Sequence, residues 1–156
     1  VDVYVLPYDH PDAVKLTEEV QQEYVVRYGD PDVTPVDPAD FAPPGGIFLV
    51  GYRDGAPVAC GGWRAHDDPT PPLRPGDAEL KRMYVVTAMR GRGLSRLMLA
   101  ELEAAARRSG RTRLVLETGT RQPEALSLYR ATGYADMPNF GVYRDDPLSV
   151  CLSKPL

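Results

Sequence analysis

Arg90-Gly91-Arg92-Gly93 stands between a strand-like run, Tyr84-Val85-Val86, and an amphipathic run that ends at Gly110. A helix begins with unpaired N–H groups and the positive end of its dipole. Gly91 and Gly93 let the backbone bend and let an anion come close. Arg90, Arg92 and Arg96 add charge and donors. The chemistry this combination suits is phosphate binding at a strand-to-helix turn; the plainer alternative is a Gly-containing loop with solvated arginines. Other phosphate motifs fit badly. A P-loop needs Lys-Ser/Thr after its second Gly, and Leu94-Ser95 follow here. The dinucleotide fingerprint needs a third Gly where Arg96 stands.

The elements that must position this turn follow from periodicity and punctuation. Residues 1–6 read as a strand ended by Pro7, and 11–29 as a helix with Ala13, Leu16, Val20 and Tyr24 at helical spacing and Gly29 as its stop. Asp37-Pro38-Ala39-Asp40 offers a cap and one short helical turn. Residues 46–66 read as a hairpin turning at Arg53-Asp54-Gly55, and 78–86 as a strand. Residues 91–109 form a helix with Leu94, Leu97, Met98, Leu102 and Ala105 on one face. A buried strand (113–118), a helix (123–132) closed by Gly133, and a last strand (147–156) complete the chain. The strand-helix-strand unit from 78 to 118 makes its two strands parallel, with a right-handed crossover expected. The pattern is mixed α/β, and residues 1–156 read as a single domain.

Composition narrows the function. The net charge is −4, and fifteen of the 18 cationic residues are Arg. An acidic protein is a poor nonspecific nucleic-acid binder, and no aromatics interleave with the arginines of Arg90–Arg96. No apolar run suggests a membrane span. The first residues do not read as a signal peptide, and the absence of an initial Met suggests a few residues missing in front. Cys60 and Cys151 suit buried free thiols of a reducing, cytoplasmic compartment. His10 and His66 are too distant for a metal site, and no zinc spacing occurs. The Pro-rich stretches 29–46 and 67–77 read as ordered loops.

The run AELKRMYVVTAMRGRGLSRLMLAELEAAARRSG, followed by RLVLETGTRQPEALSLYRATGY, resembles the GNAT family of acyl-CoA-dependent N-acetyltransferases. That family's pyrophosphate loop reads Arg/Gln-x-x-Gly-x-Gly/Ala. Arg90 and Gly93 match its first and fourth positions, and Ser95 stands in place of Gly or Ala. Gln122 replaces the family's usual Asn; Ala125, Leu128-Tyr129 and Gly133-Tyr134 follow at the family's spacing. The match covers roughly residues 77–135. The resemblance implies a twisted, mixed, mostly antiparallel sheet of about 6–7 strands flanked by about four helices, with the fourth and fifth strands splayed. It implies acetyl-CoA as cosubstrate, its pantetheine arm lying in the splay against Met83, Tyr84, Val85 and Val86. It implies the pyrophosphate on the N–H groups of Gly91, Arg92, Gly93, Leu94 and Ser95 and on the Arg90 side chain, with Arg96 near and Gln122 beside the arm. It implies a Tyr84 or Val85 N–H that polarises the thioester. Homodimers are common where the resemblance holds.

Acetyl transfer to an amine sets further demands. A Lys-like amine of pKa about 10.4 is neutral in roughly one molecule in 2,500 at pH 7, so presenting it costs on the order of 4–5 kcal/mol unless a base takes the proton. The resemblance makes Tyr129 the candidate acid for the departing sulfur, against a core Tyr as the alternative. Glu79, on one strand face with Lys81, Met83 and Val85, is the candidate base, acting through water. Glu117 and His66 are further choices. Glu18, Glu19, Glu23, Asp67, Asp68, Asp145 and Asp146 could attract a cationic amine, and Tyr24, Trp63, Phe140 and Tyr143 could wall its pocket. The expected activity is transfer of acetyl to a primary amine of a small or amino-acid-like acceptor. A noncatalytic acyl-CoA sensor is the alternative.

Overall fold

Seven strands form one sheet in the order β1-β2-β3-β4-β5-β7-β6 in a computed structural model, which describes all residues except Asp68. The strands are β1 (Asp2–Val5), β2 (Gly46–Arg53), β3 (Ala56–His66), β4 (Asp77–Val85), β5 (Arg113–Gly119), β6 (Ala135–Met137) and β7 (Ser149–Pro155). The helices are α1 (Pro11–Tyr28), α2 (Leu94–Arg108) and α3 (Pro123–Ala131), with 3-10 turns at Pro38–Phe41 and Thr87–Met89. Only β4 and β5 pair in parallel; every other neighbouring pair is antiparallel.

Local chemistry sets the ends of the helices. Pro11 occupies the first position of α1, where His10 Nδ1 accepts the Asp12 N–H. Gly29 closes α1 in the left-handed region at φ 89° and donates its N–H to the Val25 carbonyl. Helix α1 lays Ala13 and Leu16 on Phe48, Val50 and Cys60, on one face of the sheet. On the other face, Met98, Leu99 and Leu102 of α2 and Tyr129 of α3 pack with Trp63, Leu80, Val85 and Leu116. Leu97 departs from the expected stripe and is exposed, while Leu99 is buried. The helix therefore rolls slightly about its axis relative to the sequence reading.

The splay between β4 and β5 is explicit in the register. Pairing covers Asp77–Glu79 against Arg113–Val115 and then stops, although both strands continue. Each keeps its outer partner, β3 or β7, so the sheet stays whole around a wedge-shaped gap. The closed end is clamped by Asp77, which is fully buried and accepts from Arg113 Nε and Nη2 at 2.7 Å each. Such a bidentate, charge-assisted pair fixes geometry as well as energy.

A bulge in β4 changes which side chains share a face. Gly62 stands opposite Lys81 and Cys60 opposite Tyr84, so Gly61 alone faces Arg82 and Met83. Arg82 adopts φ 61° there. A Cβ on Gly61 would lie 2.6 Å from Met83 Sδ, so a larger residue there would have to push the Met83 side chain aside. The expectation that Glu79, Lys81, Met83 and Val85 share one face is thereby corrected. Met83 and Val85 join Leu80 on the α2 side, whereas Lys81 and Arg82 both reach Asp32, in the loop after α1. The extra residue reverses the alternation.

Candidate active site

A cavity of about 230 Å³ runs through the gap between β4 and β5. Leu80, Met83, Leu116, Ala125 and Tyr129 line its α2–α3 side, and Tyr24, Asp32, Lys81, Arg82 and Glu117 its α1 side. The C-terminal end of α1 crosses its mouth. Tyr28 donates to Gln122 Oε1 at 3.1 Å, and Arg27 and Arg121 exchange donors and backbone carbonyls at 2.8 and 3.1 Å. Gly119 permits this approach, because a Cβ there would collide with the Tyr28 hydroxyl. Tyr143 closes another side, its hydroxyl accepting the Val33 N–H at 2.8 Å.

The strand-to-helix corner follows β4 directly. Gly91 and Gly93 sit at φ 77° and 79°, and a Cβ on either would meet open space, so their role is conformational. The first helical bond of α2 is Leu97 N–H to Gly93 O. Among the described residues no acceptor engages the N–H groups of Gly91 through Arg96, and no side chain caps α2. Arg92 and Arg96 are exposed and form no ion pair among the described residues. Arg90 behaves differently. Its Nε donates to the Val85 carbonyl at 3.0 Å, and its Nη1 and Nη2 meet the two Glu23 oxygens at 2.9 and 3.1 Å. It ties the corner to β4 and α1.

The ionisable groups divide sharply. Glu79 is buried, outside the cavity wall, with Arg64 Nε 3.0 Å and His66 Nε2 2.9 Å from its Oε1. Burial raises its carboxyl, but the His66 hydrogen bond and the charges of Lys81 and Arg64 outweigh this and hold it below its ordinary value. Glu117 lines the cavity and, among the described residues, its carboxylate accepts one hydrogen bond, from the Ser149 hydroxyl at 3.4 Å. Burial pushes its carboxyl up to about 7, the Lys81 charge opposing and the Asp32 and Glu79 charges adding to the rise. Tyr129 lines the cavity with a hydroxyl that has no hydrogen-bond partner among the described residues, and burial raises it well above an ordinary phenol. Tyr129 packs edge-on against Tyr134, with ring centroids 5.6 Å apart.

Other candidates are spread out. Gln122, Tyr24, Tyr143 and Asp146 line the cavity. Trp63 and Phe140 are core residues, 1% and 5% exposed, because their strands and loop turn them inward. Glu19 pairs with Lys15, and Asp67 with Arg111. Asp68 lies outside the described residues. Asp32, Tyr28, Lys81 and Arg82 form walls the motif reading did not assign. The adjacent cations Lys81 and Arg82, side by side within one strand, were the available signal.

An open sheet with a gap between parallel neighbours, and an anion-receptive helix start at the end of the first of them, defines the acyl-CoA acetyltransferase class. The chain belongs to the acetyltransferase (GNAT) family, whose model matches residues 13–134. An IAA acetyltransferase of Azospirillum brasilense is 36% identical over 143 residues, 92% of this chain and 90% of that one. A candidate acyl-CoA N-acyltransferase from Klebsiella pneumoniae superposes with TM-score 0.77 at 30% identity, covering 99% of this chain and 97% of the other. The yncA acetyltransferase of Salmonella typhimurium, solved with acetyl-CoA, shares the fold with TM-score 0.70 at 21% identity over 99% and 94% of the two chains. No described helix is long and apolar enough to cross a membrane.

Proposed function

We propose that this protein transfers an acetyl group from acetyl-CoA to a primary amine of a small, amino-acid-like acceptor. The observation that carries this reading is the cavity's position, continuous with the unpaired edge of β4 on one side and a polar, titratable wall on the other. The residues suit the coenzyme. Six consecutive N–H groups without an acceptor among the described residues, Gly91 to Arg96, and the exposed Arg92 and Arg96 would take its pyrophosphate. The β4 edge from Met83 to Val85, with Val86 just beyond it, would pair with the pantetheine amides, a Tyr84 or Val85 N–H would face the thioester carbonyl, and Gln122 would flank the arm. Arg90 acts by holding the corner against β4.

Bound acetyl-CoA supplies the acetyl thioester; the chain supplies proton management. Glu117 takes the proton the amine loses as its nitrogen bonds to the carbonyl carbon. A carboxylate with pKa near the working pH suits this better than the ion-paired Glu79. As the carbon–sulfur bond breaks, Tyr129 gives its proton to the sulfur and recovers one from solvent. The products are an N-acetyl amine and the free thiol of CoA. Acetyl-CoA with a panel of primary amines, followed by thiol release, tests the proposal. Amine-dependent release at least 10-fold above background is expected. Tight CoA binding with no release for any amine would favour a sensor instead.

A further inference from the structure

We propose that the acceptor carries a carboxylate, and that Arg82, backed by Lys81, holds it on the α1 side of the cavity. This deepens the acceptor half of the preceding reading and rests on it. Lys81 and Arg82 are 8% and 5% exposed, yet both line the cavity. They share one counter-ion: Lys81 Nζ lies 3.0 Å and Arg82 Nη1 2.6 Å from the same oxygen, Asp32 Oδ2. The other Asp32 oxygen already accepts the Thr34 N–H at 2.9 Å. Two buried cations thus bond to a single carboxylate, with Glu79 and Glu117 near enough to feel the Lys81 charge. Arg82 Nε is fully buried and has no hydrogen-bond partner among the described residues. Its Nη2 makes no hydrogen bond among the described residues either, and it is the guanidinium donor left for a carboxylate that enters the cavity. A substrate carboxylate on Nη2 adds a charge-assisted hydrogen bond to a cation that otherwise shares its bonded counter-ion with Lys81.

The remaining charges suit a zwitterion. Glu117 lies in the same cavity to receive the amine, and the exposed Asp30 and Asp146 sit at its rim. An amine without a carboxylate has nothing to offer Arg82. The substrate class is therefore amino acids, with side-chain size limited by the enclosing Tyr24, Tyr28 and Tyr143.

The test compares each of a panel of amino acids with its own carboxamide, which keeps the amine and drops the negative charge. Thiol release from acetyl-CoA is measured for the unaltered protein, Arg82→Gln and Lys81→Met. The acids should exceed their amides about 10²-fold in kcat/KM, through KM, and Arg82→Gln should bring that ratio close to one. Should Arg82→Gln fail to fold, Lys81→Met should still shrink the ratio at least 10-fold. Equal turnover of acids and amides, or a preference that survives both substitutions, would overturn the inference while leaving acetyl transfer intact. If no amine is turned over, calorimetry with CoA-loaded protein decides. An amino acid that binds where its amide does not supports the inference; binding of both or neither refutes it.

Discussion

Tyr129→Phe is expected to lower turnover about 10²-fold or more while leaving coenzyme affinity within a few-fold. The reason lies in what the substitution removes. The ring packs on Tyr134 and the hydrophobic core, and Phe preserves those contacts. The hydroxyl lines the cavity and serves no hydrogen bond among the described residues, so its loss should not disturb the fold. Burial raises its pKa, which keeps the phenol protonated across the neutral range and ready to donate. A thiolate leaving without a donor must depart as an anion into a largely apolar wall. Steady-state kinetics, paired with CoA titration calorimetry, reads both halves. Unchanged turnover would remove the acid role and return Tyr129 to the core.

Glu117→Gln should cost a further factor of about 10² in kcat/KM and should also change its pH dependence. With the carboxyl pushed up to about 7, the basic form grows as pH rises through that value, so the rate of the unaltered protein should climb there. The Gln variant should lack that limb. Glu79→Gln should leave it in place, since the Glu79 carboxyl lies outside the cavity and is held low. Stability moves with the opposite sense. A carboxyl whose folded pKa exceeds its unfolded value, here about 7 against 4.5, binds more protons in the native state between those pH values. Its contribution is present below pH 4.5 and lost as pH passes 7. Glu117→Gln should therefore raise Tm at pH 8 and change it little at pH 4. A variant that is less stable at pH 8, or one that keeps the pH limb, would contradict the assignment.

Local signals carried much of this molecule. Glycines 29 and 110, and prolines 11, 38 and 123, bounded helices whose ends match the structure to within a few residues, because a stop or cap acts on its neighbours alone. The hairpin and the parallel crossover followed from alternation and order. The three-residue β6 was not read, since so short an edge strand has no periodicity to display. The β4 bulge was invisible for a different reason. It depends on Gly61 of β3 leaving room for Met83 across the ladder, a contact between residues 22 positions apart. That one residue moves Arg82 to the face of Lys81 and turns an ordinary alternating strand into a cationic wall. The contrast between Glu79 and Glu117 was equally hidden. Both are strand glutamates in sequence; only the packing decides which meets Arg64 and His66 and which meets open space.

The central claim is that a glycine-shaped helix start and a gap in the sheet together hold acetyl-CoA. A crystal structure of the protein with coenzyme A tests it most directly. The account predicts diphosphate oxygens within about 2.7–3.2 Å of N–H groups in the Gly91–Arg96 segment, and the pantetheine arm between β4 and β5 beside Tyr129. Coenzyme bound elsewhere on the surface, or strands closed against each other from residue 80 to 85 with the corner left to water, would contradict it.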